Sequence, residues 1–406
     1  MRTTTPQADA GRPRVLVLAS TYPRWRGDHE PGFVHELSRR LAKRFDVTVV
    51  CPSATGATAR EELDGVRVIR FRYAPMRWET LVNDGGITTN LRRHPGRFLL
   101  VPPFVVASLW AVVRESRRLR DAAIHAHGLL PQGLVAVIAR RCAGLRAPLV
   151  VTSHGADLHA WRGALPRALK RLVVRNAAKV AVVSRGMVKD AVALGARAGQ
   201  VEVAPMGVDL DLFRPDPAVA PVPGRILFVG RLVEKKGLRH LIDALPVLRV
   251  REPRATLVVA GFGPEDAERR AQVEALGLRD AVSFVGAVPQ AELPMLYRQA
   301  SVVAVPFVEA AGGDIDGLGL VAVEAAACGC PVVISRIAAA SDIFGEGEAT
   351  FVAPGNPAAL AEALASVLAA PDRAPRADRA ELARKFEWSA AASRYEDLLS
   401  QAARLP

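Results

Sequence analysis

"SVVAVPFVEAAGGDIDGLGLVAVEAAACGCPVVIS", residues 301–335, carries the pattern on which the fold turns. "SVVAVP" is a short apolar run that empties into a glycine-rich loop. "GLVAVEAAACG" then has the length of a short helix and stops at Gly329, just ahead of Pro331. "PVVIS" resumes the apolar run. Strands that are apolar throughout are covered on both faces, so strand, helix and strand in this order read as a parallel βαβ unit. A core needs none of the acids between them, yet Asp314, Asp316 and the lone Glu324 are there.

The same alternation runs through the whole chain. In the first half, strands are predicted at 14–20, 46–52, 66–71, 122–128, 148–155, 179–184 and 201–207. In the second, they are predicted at 225–230, 255–261, 282–286, 301–306 and 331–335. Helix-length segments separate them. The fold class is therefore α/β, with two doubly wound, Rossmann-like parallel-sheet domains. The 406 residues suit two such units, since one domain takes about 100–200 residues. "FRPDPAVAPVPGR" lies between them, with four prolines from Arg214 to Gly224, and reads as a hinge linker.

Composition limits what the chain can be. Four cysteines without a CxxC pair argue for a reducing compartment and against a zinc ribbon or disulfide scaffold. "MRTTTPQADAGRPR" has no apolar stretch and reads as a disordered lead-in rather than a signal peptide. The net charge of +13 is unevenly spread: residues 1–200 hold 33 Lys/Arg against 14 Asp/Glu, residues 201–406 hold 21 against 27. A basic half suits nucleic acid, an anionic membrane or an acidic substrate equally, and also an ordinary solvated surface. Sparse aromatics and the lack of a recognition motif leave nucleic acid as the least supported partner.

Ligands of doubly wound sheets bind beyond the carboxyl ends of the strands, where this sequence is rich in polar groups. "LFVGRLVEKKGL" ends a strand at Gly230 and offers Arg231 and Lys236 before a helix. "VVAGFGPED" supplies a turn at Gly261 and Gly263, "VVTSHGADL" places His154 and Asp157, and "IHAHGLLPQG" places His127. Arg231 and Lys236 can reach one anion at a helix start, where backbone N–H groups and the helix dipole favour negative charge. Gly317 and Gly319 allow close backbone approach before a helix that starts near Leu320. Asp316 and Glu324 can accept hydrogen bonds from polyol hydroxyls. A cationic phosphate clamp beside two such acids describes a nucleotide-diphosphate sugar.

These stretches resemble the retaining glycosyltransferases of family four, which have the GT-B fold of two Rossmann-like domains facing across a cleft. "GRLVEKKGL" is similar to the family's GRL…KG, and "DGLGLVAVEAAACGCPVV" to its two-acid signature, with seven residues between Asp316 and Glu324. "IHAHGLLPQGLVA", "VVTSHGADL" and "MGVDLDLF" carry the likeness through the first half, and "FEWSAAASRYEDLLSQ" resembles the closing helix that crosses back to it. The implied domains are 1–212 on the acceptor side and 213–386 on the nucleotide-sugar side, with a helix at about 387–406 returning to the first. By resemblance Arg231, Lys236 and the amides of Gly317, Leu318, Gly319 and Leu320 hold the donor. Gly230, Gly263 and Val285 line its site, and Glu324 binds the ribose. Asp316 takes sugar hydroxyls and His154 stands where sugar meets acceptor. Gly32, His127 and Asp157 belong to the acceptor side. Two positions depart from the pattern: Asp316 replaces the usual Glu, and Met206 stands where the family has Asn.

The resemblance implies transfer of a hexose with retention, with no metal and no cofactor. The sequence matches that expectation in having no convincing protein nucleophile; "DID" (314–316) resembles a metal-binding DxD only superficially. "RFLLVPPFVVASLWAVV" (97–113) is apolar over 16 residues, shorter than the roughly 20 of a spanning helix. Seven arginines and one acid flank it. That composition suits a segment lying on anionic lipid, and also a buried helix with solvated ends. The expectation is a cytoplasmic enzyme, peripheral on the inner membrane face, acting on a lipid-linked or glycan acceptor in cell-envelope or polysaccharide synthesis. A GT-B sugar-nucleotide epimerase and a basic nucleic-acid binder are the alternatives.

Overall fold

The computed structural model describes residues 11–28, 32–82, 86–119, 122–161, 163–370 and 376–404. Most of the predicted lead-in, residues 1–10, and the last two residues of the predicted closing helix lie outside these. The first sheet comprises β1 (Arg14–Leu18), β2 (Asp46–Pro52), β3 (Arg60–Leu63), β4 (Val66–Phe71), β5 (Ala123–His127), β6 (Leu149–Ser153), β7 (Lys179–Val182) and β8 (Val201–Val203). Its order is β3-β4-β2-β1-β5-β6-β7-β8, parallel except for the β3–β4 pair. The second sheet comprises β9 (Arg225–Val229), β10 (Thr256–Ala260), β11 (Val282–Gly286), β12 (Val302–Val305), β13 (Val332–Ser335) and β14 (Thr350–Val352). Its order is β11-β10-β9-β12-β13-β14, parallel throughout.

Every apolar run predicted as a strand forms one, so the two-domain parallel α/β reading holds. Two further strands were not predicted. Arg60–Leu63 (REEL) is a charged, partly exposed edge strand without an apolar face, and Thr350–Val352 is three residues long. The chain order reverses beside β1 and β5 in one sheet and beside β9 and β12 in the other. Those switch points open the crevices in which such sheets bind ligands.

Six helices place the site. They are α1 (Phe33–Leu41), α2 (Gly86–Arg93), α3 (Val101–Arg118), α4 (Ala164–Asn176), α5 (Leu320–Ala327) and α6 (Trp388–Arg404). From the end of the chain α6 returns to the first domain. Trp388, Tyr395, Leu398 and Leu399 are buried in one cluster with Val15 and Val17 of β1, each burial being worth about 1.5–3 kcal/mol. Met206 joins the same cluster, so the methionine that replaces the family's Asn fills core volume.

The proline-rich linker is bound to the second domain at both ends instead of running free between the two. Arg298 Nε donates to the Arg214 carbonyl at 2.8 Å and Ser301 Oγ to the Val222 carbonyl at 2.7 Å, fastening both ends to the second domain. The chain crosses instead at two adjacent places. Val208 N–H donates to the Phe386 carbonyl at 2.7 Å and Trp388 N–H to the Val208 carbonyl at 3.3 Å, so both crossings run side by side.

Candidate active site

The donor side begins where β9 and β10 end. Gly230 and Gly261 both have φ of +152°, and any side chain on Gly261 would collide with the Gly230 carbonyl. Gly263 is equally tight: a β-carbon there would lie 2.5 Å from the Leu232 carbonyl oxygen. Glycine at these positions is thus a packing requirement between neighbouring strand ends, and it lets the loops close beneath a ligand. Over Gly230 runs the side chain of Lys236, which stands at the end of a short turn, Glu234–Lys236.

That turn holds the 306–319 loop residue by residue. Glu234 Oε1 accepts from Ala311 N–H at 2.9 Å, Lys235 Nζ meets Asp314 Oδ1 at 3.1 Å and Lys236 Nζ meets Asp316 Oδ2 at 2.7 Å. Lys236 also lies 4.5 Å from the centroid of the Phe307 ring. The two acids of "DID" therefore face two different lysines rather than each other. Burial works to raise the Asp316 carboxyl, but Lys236, Lys235 and Arg231 outweigh it and bring it down to about 2. Burial likewise lowers the Lys236 ammonium, with Asp316 opposing.

Glycine also places the start of α5. Gly319 has φ of +86°, and a β-carbon there would lie 2.5 Å from the Phe307 ring. Among the described residues no side chain caps the helix. One turn in, Glu324 Oε2 accepts from Tyr297 Oη at 2.7 Å, and its second oxygen bonds no described residue. Burial raises the Glu324 carboxyl, against the Tyr297 hydrogen bond and Lys236. Val285 is on the edge strand β11, half-exposed; the strand ends at Gly286, whose carbonyl accepts from Gly261 N–H at 2.7 Å. Sequence reasoning missed Tyr297 and Phe307, which carry no motif of their own.

Across the cleft, β5 and β6 end side by side at His127 and His154. The two rings lie nearly coplanar and edge to edge, centroids 5.3 Å apart at an interplanar angle of 7°, with His127 Nδ1 and His154 Nε2 at 3.0 Å. Phe33, next to Gly32 at the start of α1, lies 4.8 Å from the His154 ring. Gly32 itself has φ of −82°, which any residue can adopt. Burial pushes His154 down to about 4 and His127 well below its ordinary value, so both rings are neutral at pH 7. Asp157 is partly exposed on the wall of a cavity with Leu130, Pro131 and Trp161. Its oxygens accept from Leu129 N–H at 2.7 Å, Ser153 Oγ at 2.9 Å and His154 N–H at 3.2 Å, which pins the loops after β5 and β6 together. His127 is buried and turned inward.

The two sides touch. A β-carbon on Gly155 would lie 2.9 Å from Gly317 Cα, and one on Gly317 would collide with the His154 carbonyl. At the cleft mouth α2 reaches over from the first domain. A β-carbon on Gly86 would lie 3.8 Å from Arg231 Nη1, a side chain on Gly312 would collide with the Arg92 guanidinium, and Arg93 Nη2 donates to the Pro264 carbonyl at 3.3 Å. Arg92 and Arg93, expected to flank a membrane-facing segment, thus face the second domain. The physical reason is position: α2 stands over the cleft, beside the glycine loops that leave room for a guanidinium.

The apolar segment is longer than its sequence suggested. Helical structure runs without a break over Pro95–Arg118, 24 residues, which by length and composition alone is enough to cross a membrane. Yet α3 is built into the first domain: Phe104, Ala111 and Val112 are core, and buried Glu115 takes Arg60, Arg114 and Arg118. The other face of the segment is bare, with Leu99, in the turn before α3, 82% exposed, Val106 66% and Trp110 63%.

With this geometry in place, likeness to known proteins is specific. The profile "Glycosyl transferases group 1" matches residues 213–386 and "Glycosyltransferase Family 4" matches residues 33–212. A GDP-mannose-dependent alpha-(1-6)-phosphatidylinositol monomannoside mannosyltransferase of Mycolicibacterium smegmatis is 29% identical, covering 95% of this chain and 98% of that protein. A glycogen synthase of Mycobacterium tuberculosis is 30% identical, covering 94% and 92%. Among solved structures, sucrose-phosphate synthase from Thermosynechococcus elongatus superposes with a TM-score of 0.77 at 24% identity, covering 96% of this chain and 99% of that one. HepE of Anabaena, in complex with UDP-glucose, superposes at 0.72 and 20%, covering 96% and 99%. Two facing parallel-sheet domains, the GRL…KG turn and the paired acids across from His154 thus have one explanation: the chain belongs to glycosyltransferase family 4 and is a nucleotide-sugar-dependent glycosyltransferase of the GT-B fold.

Proposed function

We propose that the protein transfers a hexose, with retention, from a nucleotide-diphosphate sugar to a lipid-linked acceptor at an anionic membrane surface, in the synthesis of cell-envelope glycans. The observation that carries this reading is the Lys236–Asp316 pair, set at the start of α5 opposite His154 and Gly155. A cation, a helix N-terminus and carboxylates converge there on the space a sugar diphosphate needs.

In the reaction the bond between the anomeric carbon and the phosphate oxygen breaks, and its electrons stay on the diphosphate. Lys236, Arg231 and the α5 terminus meet that charge. The acceptor oxygen bonds the same face of the sugar, and its proton passes to the departing phosphate. Positioning and electrostatics suffice for this step. Metal need not take part: Asp314 and Asp316 are each held by a lysine, Lys235 and Lys236, rather than aimed at a shared ion.

Two features support a lipid surface. Phe98, Leu99, Val106 and Trp110 form a bare apolar stripe, with the Arg114 guanidinium over the Trp110 ring at 4.7 Å and Arg117 beyond. A full-length relative acts on a phosphatidylinositol mannoside. Placement on the cytoplasmic face of the cell membrane belongs to the same reading.

The test is a panel of GDP-, UDP-, ADP- and TDP-sugars, read by thermal stabilisation and slow hydrolysis, with Lys236→Ala as control. One nucleotide should stabilise the wild type alone, and NMR of the product should report the starting anomeric configuration. An epimerised sugar nucleotide formed without acceptor, or an inverted product, overturns the reading. Vesicles with 30% anionic lipid, as an experimental choice of about that fraction, should recruit the protein better than neutral ones, and Trp110→Glu should abolish the difference.

A further inference from the structure

Two buried ring nitrogens in the first domain bond no described residue: Nε2 of His127 and Nδ1 of His125. Three histidines form a column there. His125 Nε2 pairs with Thr152 Oγ1 at 2.8 Å, the His125 and His127 rings are 4.3 Å apart, and His127 meets His154 edge to edge at the cleft. Tyr395 of α6 closes the inner end, 5.4 Å from the His125 ring, with its hydroxyl donating to the Ala204 carbonyl at 2.8 Å.

The orphaned nitrogen on His127 decides which way its bond to His154 runs. Both rings are neutral, so one donates and one accepts, and each ring carries a single proton. Suppose His154 Nε2–H donated to His127 Nδ1. The His127 proton would then sit on Nε2, a buried N–H with no acceptor. Suppose instead His127 Nδ1–H donates to His154 Nε2. The unpartnered atom is then only a lone pair. Buried donors without partners are the rarer and costlier orphan. The second arrangement therefore prevails, and it leaves the proton of His154 on Nδ1, which bonds no described residue and belongs to a partly exposed ring.

We propose that His127 is a positioning residue that locks His154 in the Nδ1–H tautomer, so that His154 meets the ligand in the cleft as a hydrogen-bond donor, toward a sugar or phosphate oxygen, and not as a general base. The hydrogen bond at one imidazole nitrogen determines the state of the other.

The lock can be read without knowing the donor sugar, so its failure is separable from failure of the proposed reaction. Protein labelled with ¹⁵N-histidine is examined at pH 7.5 by two-bond ¹H–¹⁵N correlation, with His154 assigned from a His154→Gln variant. Wild type should give the pattern of a protonated Nδ1 and a bare Nε2. His127→Asn, whose amide can still donate, should keep that pattern. His127→Asp, which can only accept, should shift the proton to Nε2 and raise the ring's pKa. Donor hydrolysis should follow: His127→Asn within about threefold of wild type in kcat, His127→Asp and His127→Leu lower by on the order of 10²-fold at unchanged donor KM, by analogy with a wrong-tautomer histidine. A wild-type spectrum with Nε2 protonated overturns the proposal even if a variant fails to fold. So does equal kcat in His127→Asn and His127→Leu.

Discussion

Replacing Asp316 by Asn separates the two jobs of its carboxylate. In the ligand-free protein Asp316 balances Lys236 at 2.7 Å, and both side chains are largely buried. A carboxyl brought from 3.8 to about 2 corresponds to about 2.5 kcal/mol at 1.36 kcal/mol per unit. The sign follows from the direction: a depressed carboxyl stabilises the fold above its unfolded value, and the contribution fades as pH falls from about 4 to about 2. Urea unfolding at pH 7 should therefore show Asp316→Asn less stable by about 2 kcal/mol, with the gap closing at acid pH. The same substitution leaves a buried ammonium without its carboxylate, which is where that loss arises. A diphosphate can take the place of that carboxylate. Calorimetric titration with GDP and UDP should show the preferred nucleotide binding about tenfold tighter to the variant, about 1.4 kcal/mol, while sugar transfer falls because no carboxylate orients the hydroxyls. Unchanged stability together with unchanged or weaker nucleotide binding would refute the competition between Asp316 and phosphate for Lys236.

Other consequences can be checked alongside. Burial drives His125 to about 3, His154 to about 4 and His127 well below its usual value, so the unfolded chain takes up three protons that the fold refuses. Stability should be full above about pH 6.5 and decline below it by up to about 4 kcal/mol per pH unit; urea midpoints at pH 7.5 and 5.5 that coincide would contradict it. Gly155→Ala introduces a β-carbon 2.9 Å from Gly317 Cα at a φ of +106°. It should prop the cleft open, raising the radius of gyration in solution scattering and lowering kcat by about 10²-fold, whereas unaltered scattering and rate would mean that the domains need not meet there. Tyr297→Phe removes the donor to Glu324 Oε2, so the carboxyl rises further and nucleotide affinity should drop by about 1 kcal/mol, more at pH 5.5 than at pH 7.5. A pH-independent loss would show that Glu324 acts otherwise.

Much of the fold is legible in the residues. Every strand that is apolar on both faces was predictable, because a buried parallel strand must be apolar at each position. What escaped was Arg60–Leu63, whose REEL pattern pays no heed to a core, and the three-residue Thr350–Val352. The donor side was legible through its glycines and charges. The roles of Asp157 and His127 were not, because a polar residue after a strand looks the same whether it faces a cleft or pins two loops. Arg92 and Arg93 were misread for a related cause: charge near an apolar run looks like a membrane flank until α2 is placed over the second domain.

The amino-acid order alone determined two parallel-sheet domains, the strand ends that bear chemistry and the identity of the cation and acids, since burial pattern, turn glycines and motif spacing are local properties. Only the tertiary structure decided that Lys235 takes Asp314 and Lys236 takes Asp316, that His127 backs His154 and that Arg92 crosses to Gly312. Each of those joins residues remote in the chain. Their meeting depends on strand order and domain closure, and their protonation on burial that no single segment can supply by itself.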